Sequence, residues 1–527
     1  MSHSSLLKKL VLLGFILLMF GGLVSCTPFT SSAGSSTSAS APSQQQASAP
    51  RLIPSTCPMT LPAPYVQGKN IECSYLVVKE DRADPNSRDL LLAVARVKSS
   101  DPRPATDPLI MLQGGPGGAL LSQFDFFASA GSINKEIGKR DIILIDQRGT
   151  GYSSPPMKCD EVFTVQYAQL EQHISTADSL KQQDDAFKAC RARLSDQLHI
   201  NLNAYTSYTD ANDIHDLITA LKVPQADIYG VSYGTRLALE VMRSFPQQVR
   251  SVILDSTVTP EINPNQDGAS SVVRVYRTLF DDCAAEPQCA KAHPQLEQRF
   301  WSFVAKAQKA PVTMSVQDPN TQRTYSNAVI NGFAFTQTFW NMFYVTSLIP
   351  DVPKLMEQVM QGKNDTFAKV YGALNFDQSV NFGMYNSVEC NENAARSSRA
   401  QIEKNVQKID PSVRQDYALN LEDSALTLCQ IWNVKPEAAN LEGPVQSSIP
   451  TLVMEGAYDP VTPPANGMNA AKTLSKSYRF LAPSTGHGVF LSSQACPVQV
   501  GEAFLQNPGE APNNLCLQQM PAKPAFT

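Results

Sequence analysis

Charged side chains are scarce in this chain of 527 residues. Asp, Glu, Lys and Arg make up 17% of it and the formal net charge is −5, whereas about 25% of the residues in ordinary soluble domains are charged. No basic tract and no stripe of basic and aromatic residues occurs, which argues against nucleic acid as a partner. There is also no Cys-x-x-Cys pair and no His-rich cluster with the spacing of metal ligands. The sequence therefore predicts no metal site.

The amino terminus has the pattern of an export signal. An apolar run from Leu10 to Val24 follows two lysines and is too short to span a bilayer comfortably. It ends in Leu-Val-Ser-Cys at residues 23–26, which resembles a bacterial lipobox. This resemblance implies a signal peptide over residues 1–25 and lipidation of Cys26. An ordinary cleavable signal with an incidental cysteine is the alternative.

The residue after Cys26 is Thr27 rather than Asp, which in Gram-negative lipoproteins implies sorting to the outer membrane. We therefore expect an exported protein that is lipid-anchored to the bacterial envelope, facing the periplasm or the cell surface. Residues 26–56 are mostly Ser, Ala, Thr, Pro and Gln, and they cannot bury enough surface to fold. They predict a flexible tether between the lipid anchor and the folded chain.

The cysteine count agrees with export. Of eleven cysteines, ten remain without Cys26, an even number that suits an oxidising compartment. Spacing does not prove connectivity, but the order along the chain favours pairing between neighbours. The neighbouring pairs are Cys57 with Cys73, Cys159 with Cys190, Cys283 with Cys289, Cys390 with Cys429, and Cys496 with Cys516.

Strand and helix signals alternate along most of the chain. Short continuous apolar runs such as Leu109–Leu112 and Ile142–Ile145 are typical of buried parallel strands. Residues 209–223 carry apolar side chains at helical spacing, with Thr209 or Asp210 able to cap the helix. In total the pattern predicts eight strands with helices between them. This is an α/β protein with a mostly parallel sheet and helices on both faces.

The alternation breaks between residues 261 and 440. This stretch is helix-like and too long for a loop, so we expect an inserted, mainly helical cap between two parts of the core, residues 57–260 and 441–527. Six aromatic side chains favour a packed cap interior, and lining of a substrate pocket is the alternative. They are Phe333, Phe335, Phe339, Trp340, Phe343 and Tyr344.

Ser232 lies in Gly-Val-Ser-Tyr-Gly, residues 230–234, between an apolar strand and a run of helix formers. This context fits a nucleophile elbow, a sharp turn that lifts a serine hydroxyl clear of the sheet. Glycines at both ends are needed because side chains there would collide with neighbouring backbone. The motif therefore predicts a nucleophilic serine.

A nucleophilic serine needs a base and an acid that orients the base. His487 alone among the six histidines follows the serine late in the chain, just after the last predicted strand, in Thr-Gly-His-Gly. Asp459 follows the penultimate strand, where the acid of this arrangement belongs. Glu455 is the competitor, placed at the strand end instead of in the loop.

The oxyanion of such a reaction needs two backbone donors. Tyr233, directly after the serine, supplies the first. The loop Gln-Gly-Gly-Pro-Gly-Gly at residues 113–118 follows a strand at the place of the second. A plain Gly-Pro turn is the alternative interpretation of this loop.

Five motifs occur together in one order. They are Gln-Gly-Gly-Pro-Gly at 113–117, Asp-Gln-Arg-Gly-Thr-Gly-Tyr-Ser-Ser at 146–154, Gly-Val-Ser-Tyr-Gly at 230–234, Gly-Ala-Tyr-Asp-Pro-Val-Thr-Pro at 456–463 and Gly-His-Gly at 486–488. Together they resemble the prolyl aminopeptidases and, more closely, the secreted tripeptidyl-aminopeptidase-like α/β-hydrolases. The carboxy-terminal segment with Cys496 and Cys516 resembles the tripeptidyl branch.

The resemblance implies the α/β-hydrolase fold and a catalytic triad of Ser232, Asp459 and His487. It also implies that Gly115 and Tyr233 donate to the oxyanion, and that Asp146 and Arg148 brace the neighbouring loop. Prolyl aminopeptidases begin the glycine-proline motif with His, whereas this chain has Gln113. That departure argues against strict proline specificity.

Exopeptidases of this family recognise the free α-amino group of the substrate through carboxylates of the cap. Glu389 and Glu392 are the candidates, with solvated surface charges as the alternative interpretation. We expect an aminopeptidase that acts on peptides through an acyl-enzyme and needs no cofactor. A carboxylesterase or lipase with the same triad is the second hypothesis, and a non-catalytic surface lipoprotein is the third.

Overall fold

The computed structural model describes residues 50–129, 139–407, 425–492 and 494–527. The predicted signal peptide, Cys26 and most of the predicted tether lie outside these ranges. Within them, no helix is both long and apolar enough to cross a membrane.

Strands and helices alternate through the described residues. The strands are β1 Arg51–Ser55, β2 Ile71–Lys79, β3 Asp89–Val97, β4 Leu109–Leu112, β5 Ile142–Ile145, β6 Ala226–Val231, β7 Val249–Asp255, β8 Val312–Gln317, β9 Thr324–Ile330, β10 Thr451–Gly456 and β11 Ser477–Ala482. The helices are α1 Phe124–Ser129, α2 Asp160–Gln169, α3 Thr176–Ala192, α4 Ser207–Leu221, α5 Tyr233–Ser244, α6 Pro264–Ala285, α7 Pro287–Ala292, α8 Leu296–Lys309, α9 Gly332–Tyr344, α10 Val352–Met360, α11 Asp365–Asn375, α12 Phe382–Glu392, α13 Arg399–Val406, α14 Pro464–Ala471 and α15 Ala495–Gln506. Residues 425–432 are also helical.

Nine of the strands form one sheet in the order β1-β2-β3-β5-β4-β6-β7-β10-β11. β1, β2 and β3 are antiparallel to their neighbours. The other six strands, β5, β4, β6, β7, β10 and β11, run parallel to one another. β4, β5, β6 and β10 are buried at every residue, because helices cover both faces of a parallel sheet. The predicted fold class is confirmed.

The prediction of eight strands was one too few for this sheet, and it did not include the hairpin β8–β9. β1 lies in the segment assigned to the tether, which therefore ends at about residue 50. Its backbone pairs with β2 from Arg51–Val77 to Ser55–Cys73, and the adjoining disulfide between Cys57 and Cys73 holds the strand in place. The pairing is made through the backbone, and the segment Arg-Leu-Ile-Pro-Ser is less polar than the predicted tether before it.

Two helical layers sandwich the sheet. On one face, apolar side chains of α4, α5 and α14 pack in a single cluster with β4, β6 and β7. On the other face, Phe124 of α1 and Val500 and Phe504 of α15 pack against the same strands. The carboxyl ends of the parallel strands are left open for a site, as in other open α/β sheets.

The chain leaves the sheet after β7 and returns at β10. Between them lie helices α6–α13 and the hairpin β8–β9, and α6–α11 together with the hairpin surround an aromatic core of their own. Phe335, Phe339 and Phe343 are fully buried in this core. A second helical excursion, α2 and α3, packs with α12 in a further cluster around Trp432.

Five disulfide bonds join the neighbouring pairs that the sequence favours. Their sulfurs are bonded in Cys57–Cys73, Cys159–Cys190, Cys283–Cys289, Cys390–Cys429 and Cys496–Cys516. The disulfide between Cys390 and Cys429 links α12 covalently to the helical segment 425–432 of the cap.

Candidate active site

Ser232 stands alone between β6 and α5, half-buried, with a backbone φ of +57° and ψ of −128°. A positive φ is uncommon for a residue other than glycine and persists only where its surroundings enforce it. A Cβ at Gly230 would lie 2.3 Å from the carbonyl oxygen of Gly234, and one at Gly234 would lie 2.2 Å from that of Leu112. The two glycines thus permit the tight turn that displays the serine.

Asp459 and His487 are in direct contact. His487 Nδ1 lies 2.8 Å from Asp459 Oδ2, and the aspartate is fully buried while the imidazole is 12% exposed. Burial alone would raise the pKa of Asp459, but the charge and hydrogen bond of His487 outweigh it, so this pKa is lowered. An ionised carboxylate only accepts hydrogen bonds, so Nδ1 carries the proton and donates it.

The loop after β10 holds Asp459 from its other side. Asp459 Oδ1 accepts the backbone N–H groups of Val461 at 3.0 Å and Thr462 at 2.8 Å. The hydroxyl of Thr462 donates to Asp459 Oδ2 at 2.6 Å. These three donors favour the charged carboxylate and fix its direction toward the imidazole.

The pKa of His487 moves in the opposite sense. Burial acts to lower it, but Asp459, through its charge and hydrogen bond, raises the pKa above the ordinary value of 6.5. Asp255, at the end of β7, adds a smaller contribution in the same direction. The imidazole is therefore a stronger base than a free histidine, as removal of a serine proton requires.

The loop that carries His487 passes the end of β6 just before Ser232. A Cβ at Gly488 would lie 3.9 Å from Val231 Cγ2, and the Gly488 N–H donates to Ser256 Oγ at 2.9 Å. Among the contacts of the described residues, no hydrogen bond joins Ser232 Oγ to the imidazole. In structures without substrate such catalytic hydrogen bonds are often long and tighten on binding.

The predicted oxyanion donors lie beside the serine. A Cβ at Gly114 would lie 2.7 Å from Ser232 Cβ, so the loop that contains Gly115 passes against the nucleophile. Tyr233 is the first residue of α5, where backbone N–H groups lack partners within the helix. In the described part of the chain, the N–H groups of Gly115 and Tyr233 meet no acceptor.

The loop at residues 146–154 is braced as the resemblance implies. The carboxylate of Asp146 accepts the N–H groups of Leu120, Leu121 and Tyr152. The guanidinium of Arg148 is fully buried and binds Asp213 at 2.7 Å. Asp146 thus connects its own loop to residues 120–121, and Arg148 donates to the carbonyls of Glu80 and Ala204. Neither side chain contacts Ser232 in the described part of the chain.

Glu455 does not take the place of the acid. Its Oε1 accepts the N–H of Thr257 at 3.2 Å, and a Cβ at Gly467 would lie 2.1 Å from the same oxygen. The side chain therefore points toward α14. Burial raises the pKa of Glu455 well above its ordinary value, and among the contacts of the described residues no hydrogen bond joins Glu455 to His487.

The prediction that Glu392 binds a substrate amino group does not fit its surroundings. This carboxylate is fully buried and forms an ion pair of 2.6 Å with Arg236. It also accepts the N–H of Ser207 at 2.6 Å and the Ser207 hydroxyl at 2.9 Å. Both oxygens are occupied, so Glu392 joins the cap to α4 and α5.

Glu389, one turn earlier in α12, has different partners. Its oxygens accept the side-chain amides of Asn265 and Asn393, each at 2.8 Å. Both donors are neutral, and in the described ranges no cation pairs directly with this carboxylate. Burial raises the pKa of Glu389. The helix that carries it begins beside the glycine loop, since the Asn381 N–H donates to the Gly117 carbonyl at 2.9 Å.

Two residues near the site were missed by the sequence reasoning, Thr462 and Asp255, which bind Asp459 and the histidine loop. Tyr344, one of the six aromatic residues for which pocket lining was the alternative, has its ring 5.0 Å from that of His487. Thr462 belongs to a motif already singled out, so its hydroxyl three residues after Asp459 was a usable signal. Asp255 and Tyr344 reach the site only through the tertiary fold.

A strained serine after a central strand, a buried aspartate–histidine pair and unpaired backbone N–H groups define a hydrolase of the serine type. Residues 107–494 match the model of a family described as alpha/beta hydrolase fold. The chain belongs to the α/β-hydrolase family.

Curated relatives are similar over most or part of the chain. The serine protease Hip1 of Mycobacterium tuberculosis is 22% identical over 82% of this chain and 84% of its own. The tripeptidyl aminopeptidase of Streptomyces coelicolor is 31% identical over 36% of each chain. Carboxylesterase B of Mycobacterium tuberculosis is 22% identical over 77% of this chain and 78% of its own.

Proposed function

We propose that this protein is an aminopeptidase that cleaves short peptides from free N-termini through an acyl-enzyme on Ser232. The contact of 2.8 Å between His487 Nδ1 and Asp459 Oδ2, next to the strained serine, carries the catalytic part of the proposal. The similarity to a serine protease and to a tripeptidyl aminopeptidase supports peptides as the substrates.

In the proposed reaction, His487 Nε2 takes the proton of Ser232, since Nδ1 is bound to Asp459. Ser232 Oγ attacks the scissile carbonyl carbon, and the N–H groups of Gly115 and Tyr233 donate to the oxyanion. The imidazolium then gives its proton to the leaving amine, and the carbon–nitrogen bond breaks. Water, deprotonated by the same imidazole, hydrolyses the acyl-enzyme.

Glu389 supplies the best contact for a free amino group. A buried carboxylate with neutral partners gains from a cationic ligand, because an ammonium compensates the charge that burial disfavours.

A covalent probe tests the nucleophile. A fluorophosphonate should label the wild-type protein once and should not label Ser232→Ala, while Ser302→Ala, an exposed serine of α8, should label normally. Mass spectrometry of products from an unblocked decapeptide then reports the number of residues released. Labelling of Ser232→Ala would refute the catalytic assignment, and internal cleavage of the decapeptide would refute the exopeptidase.

A carboxylesterase is the second candidate, because fold and triad do not choose between amide and ester bonds. The similarity to carboxylesterase B favours it.

We further propose that the protein is exported and lipid-anchored through Cys26. The five disulfide bonds support an oxidising compartment. Labelling of cells with a palmitate analogue should tag the wild type but not Cys26→Ser, and an untagged wild type would contradict the anchor.

A further inference from the structure

The loop that carries Asp459 is bound from above by the cap. Arg274, in α6, donates through Nη1 to the carbonyl oxygen of Ala457 at 2.8 Å and through Nη2 to that of Asp459 itself. Trp340, in α9, donates through Nε1 to the carbonyl of Pro460 at 3.2 Å. Three backbone carbonyl groups of the acid loop, those of Ala457, Asp459 and Pro460, thus accept from donors of the cap.

The histidine loop is bound from the same side. The Gly486 N–H donates to Thr346 Oγ1 at 3.1 Å, and a Cβ at Gly486 would lie 2.0 Å from the carbonyl oxygen of Phe343. The acid loop and the base loop also contact each other, since the Tyr458 N–H donates to the Thr485 carbonyl at 2.9 Å. The relative position of acid and base is therefore set partly by the cap.

Of the three cap side chains that bind these two loops, Arg274, Trp340 and Thr346, Arg274 is the one that carries a charge. In the described residues no carboxylate forms an ion pair with it, and its Nε is buried without an acceptor. Burial lowers the pKa of Arg274, and the charge of Asp459 acts against that change. A partly buried cation without a paired anion destabilises the fold. Hydrogen bonds to two carbonyl oxygens offset that destabilisation, and both carbonyls belong to the segment that carries Asp459.

We propose that Arg274 is a positioning residue for the reaction: from the cap, it holds the Ala457–Asp459 backbone so that the Asp459 carboxylate meets His487 Nδ1. The proposal rests on the proposed function of the triad. Without the guanidinium, two carbonyl oxygens lose their donor and the acid loop is free to move away from the imidazole. The cap is then an essential part of the catalytic machinery as well as a cover for the substrate.

The test replaces Arg274 with Met, which keeps the length and removes the donors, and with Lys, which keeps a charge and fewer donors. Arg277→Met is the matched control, since Arg277 is exposed on the same helix. Complete labelling with a fluorophosphonate counts active sites, so that kcat is expressed per labelled serine. Unfolded molecules do not label, and a purely structural loss would leave this quantity unchanged.

We expect kcat per labelled site to fall about 10- to 100-fold in Arg274→Met, the cost of a small misplacement of a catalytic group. KM should change little, Arg274→Lys should recover part of the rate, and Arg277→Met should match the wild type. An unchanged kcat per site in Arg274→Met would overturn the proposal, and so would a raised KM with unchanged kcat. Labelling of Ser232→Ala would instead refute the triad, so the two failures are distinguishable.

Discussion

The backbone N–H of Ser232 donates to the carbonyl oxygen of Asp255 at 3.0 Å. The carboxylate of the same aspartate accepts the N–H groups of Val489 at 2.8 Å and Phe490 at 2.9 Å, just after His487. Asp255, at the end of β7, therefore connects the turn at Ser232 with the loop that carries His487. Through this link, two segments some 250 residues apart in sequence are held next to each other.

Replacing the acid should separate Asp459 from its competitor. In Asp459→Asn the partner of Nδ1 is no longer a carboxylate, so the imidazole loses both its tautomer and its charge stabilisation, and kcat should fall by about three to four orders of magnitude. Glu455→Gln should change kcat little, because Glu455 accepts the N–H of Thr257 and does not contact His487. Steady-state measurement of kcat for both variants shows which of the two carboxyl groups orients His487. A larger loss in Glu455→Gln would reverse the assignment.

The pH dependence of kcat/KM should report His487. The base acts only when neutral, and Asp459 raises its pKa above 6.5 against the effect of burial. Activity should therefore be lost as the pH falls through a midpoint above 6.5. In Asp459→Asn the midpoint should move downward, because the carboxylate that favours the imidazolium is gone. A midpoint that does not move would show that another group titrates.

Two helical glycines should respond oppositely to alanine. Gly234→Ala places a Cβ 2.2 Å from the carbonyl oxygen of Leu112, and we expect little folded protein. Gly268, inside α6, has no atom within 4 Å of an added Cβ, and Gly268→Ala should raise the free energy of unfolding by about 1 kcal/mol. Denaturant unfolding measures both. A stable, active Gly234→Ala would contradict the packing of the elbow.

The sheet and the site's local motifs could be predicted because their signals are local. The elbow and the acid loop each follow a strand that is buried at every residue, and the histidine loop follows the edge strand β11, so the position of Ser232, Asp459 and His487 on the sheet follows from short patterns. Their roles stay a prediction until the variants are measured. The helix predicted over residues 209–223 is shifted by two residues, since Thr206 caps it through a reciprocal hydrogen bond with Thr209.

What the sequence did not predict depends on long-range contacts or on a missed period. The burial of Glu392 by Arg236 and Ser207 joins three distant segments. The hairpin β8–β9 alternates exposed and buried side chains from Val312 to Gln317, a period of two that was visible in the sequence. It was overlooked because the segment around it is helical.

The two glutamates of α12 should behave differently. Glu389→Gln should raise KM about tenfold or more for peptides with a free amino group and spare simple esters, because only the ammonium needs the charge. Glu392→Gln leaves Arg236 with one carboxylate fewer and should lower the free energy of unfolding by up to about 3 kcal/mol. Its effect on esters and peptides should be equal. Equal effects of Glu389→Gln on peptides and on esters would show that Glu389 does not recognise the amino group.

The most direct test of the account compares one tripeptide anilide with its N-acetylated form and with a simple ester of similar size. The account predicts that kcat/KM for the free peptide exceeds that for the acetylated peptide by at least about tenfold, and that Ser232→Ala loses all three activities. Equal rates for free and acetylated peptide, or hydrolysis of the ester alone, would contradict an aminopeptidase and favour the carboxylesterase.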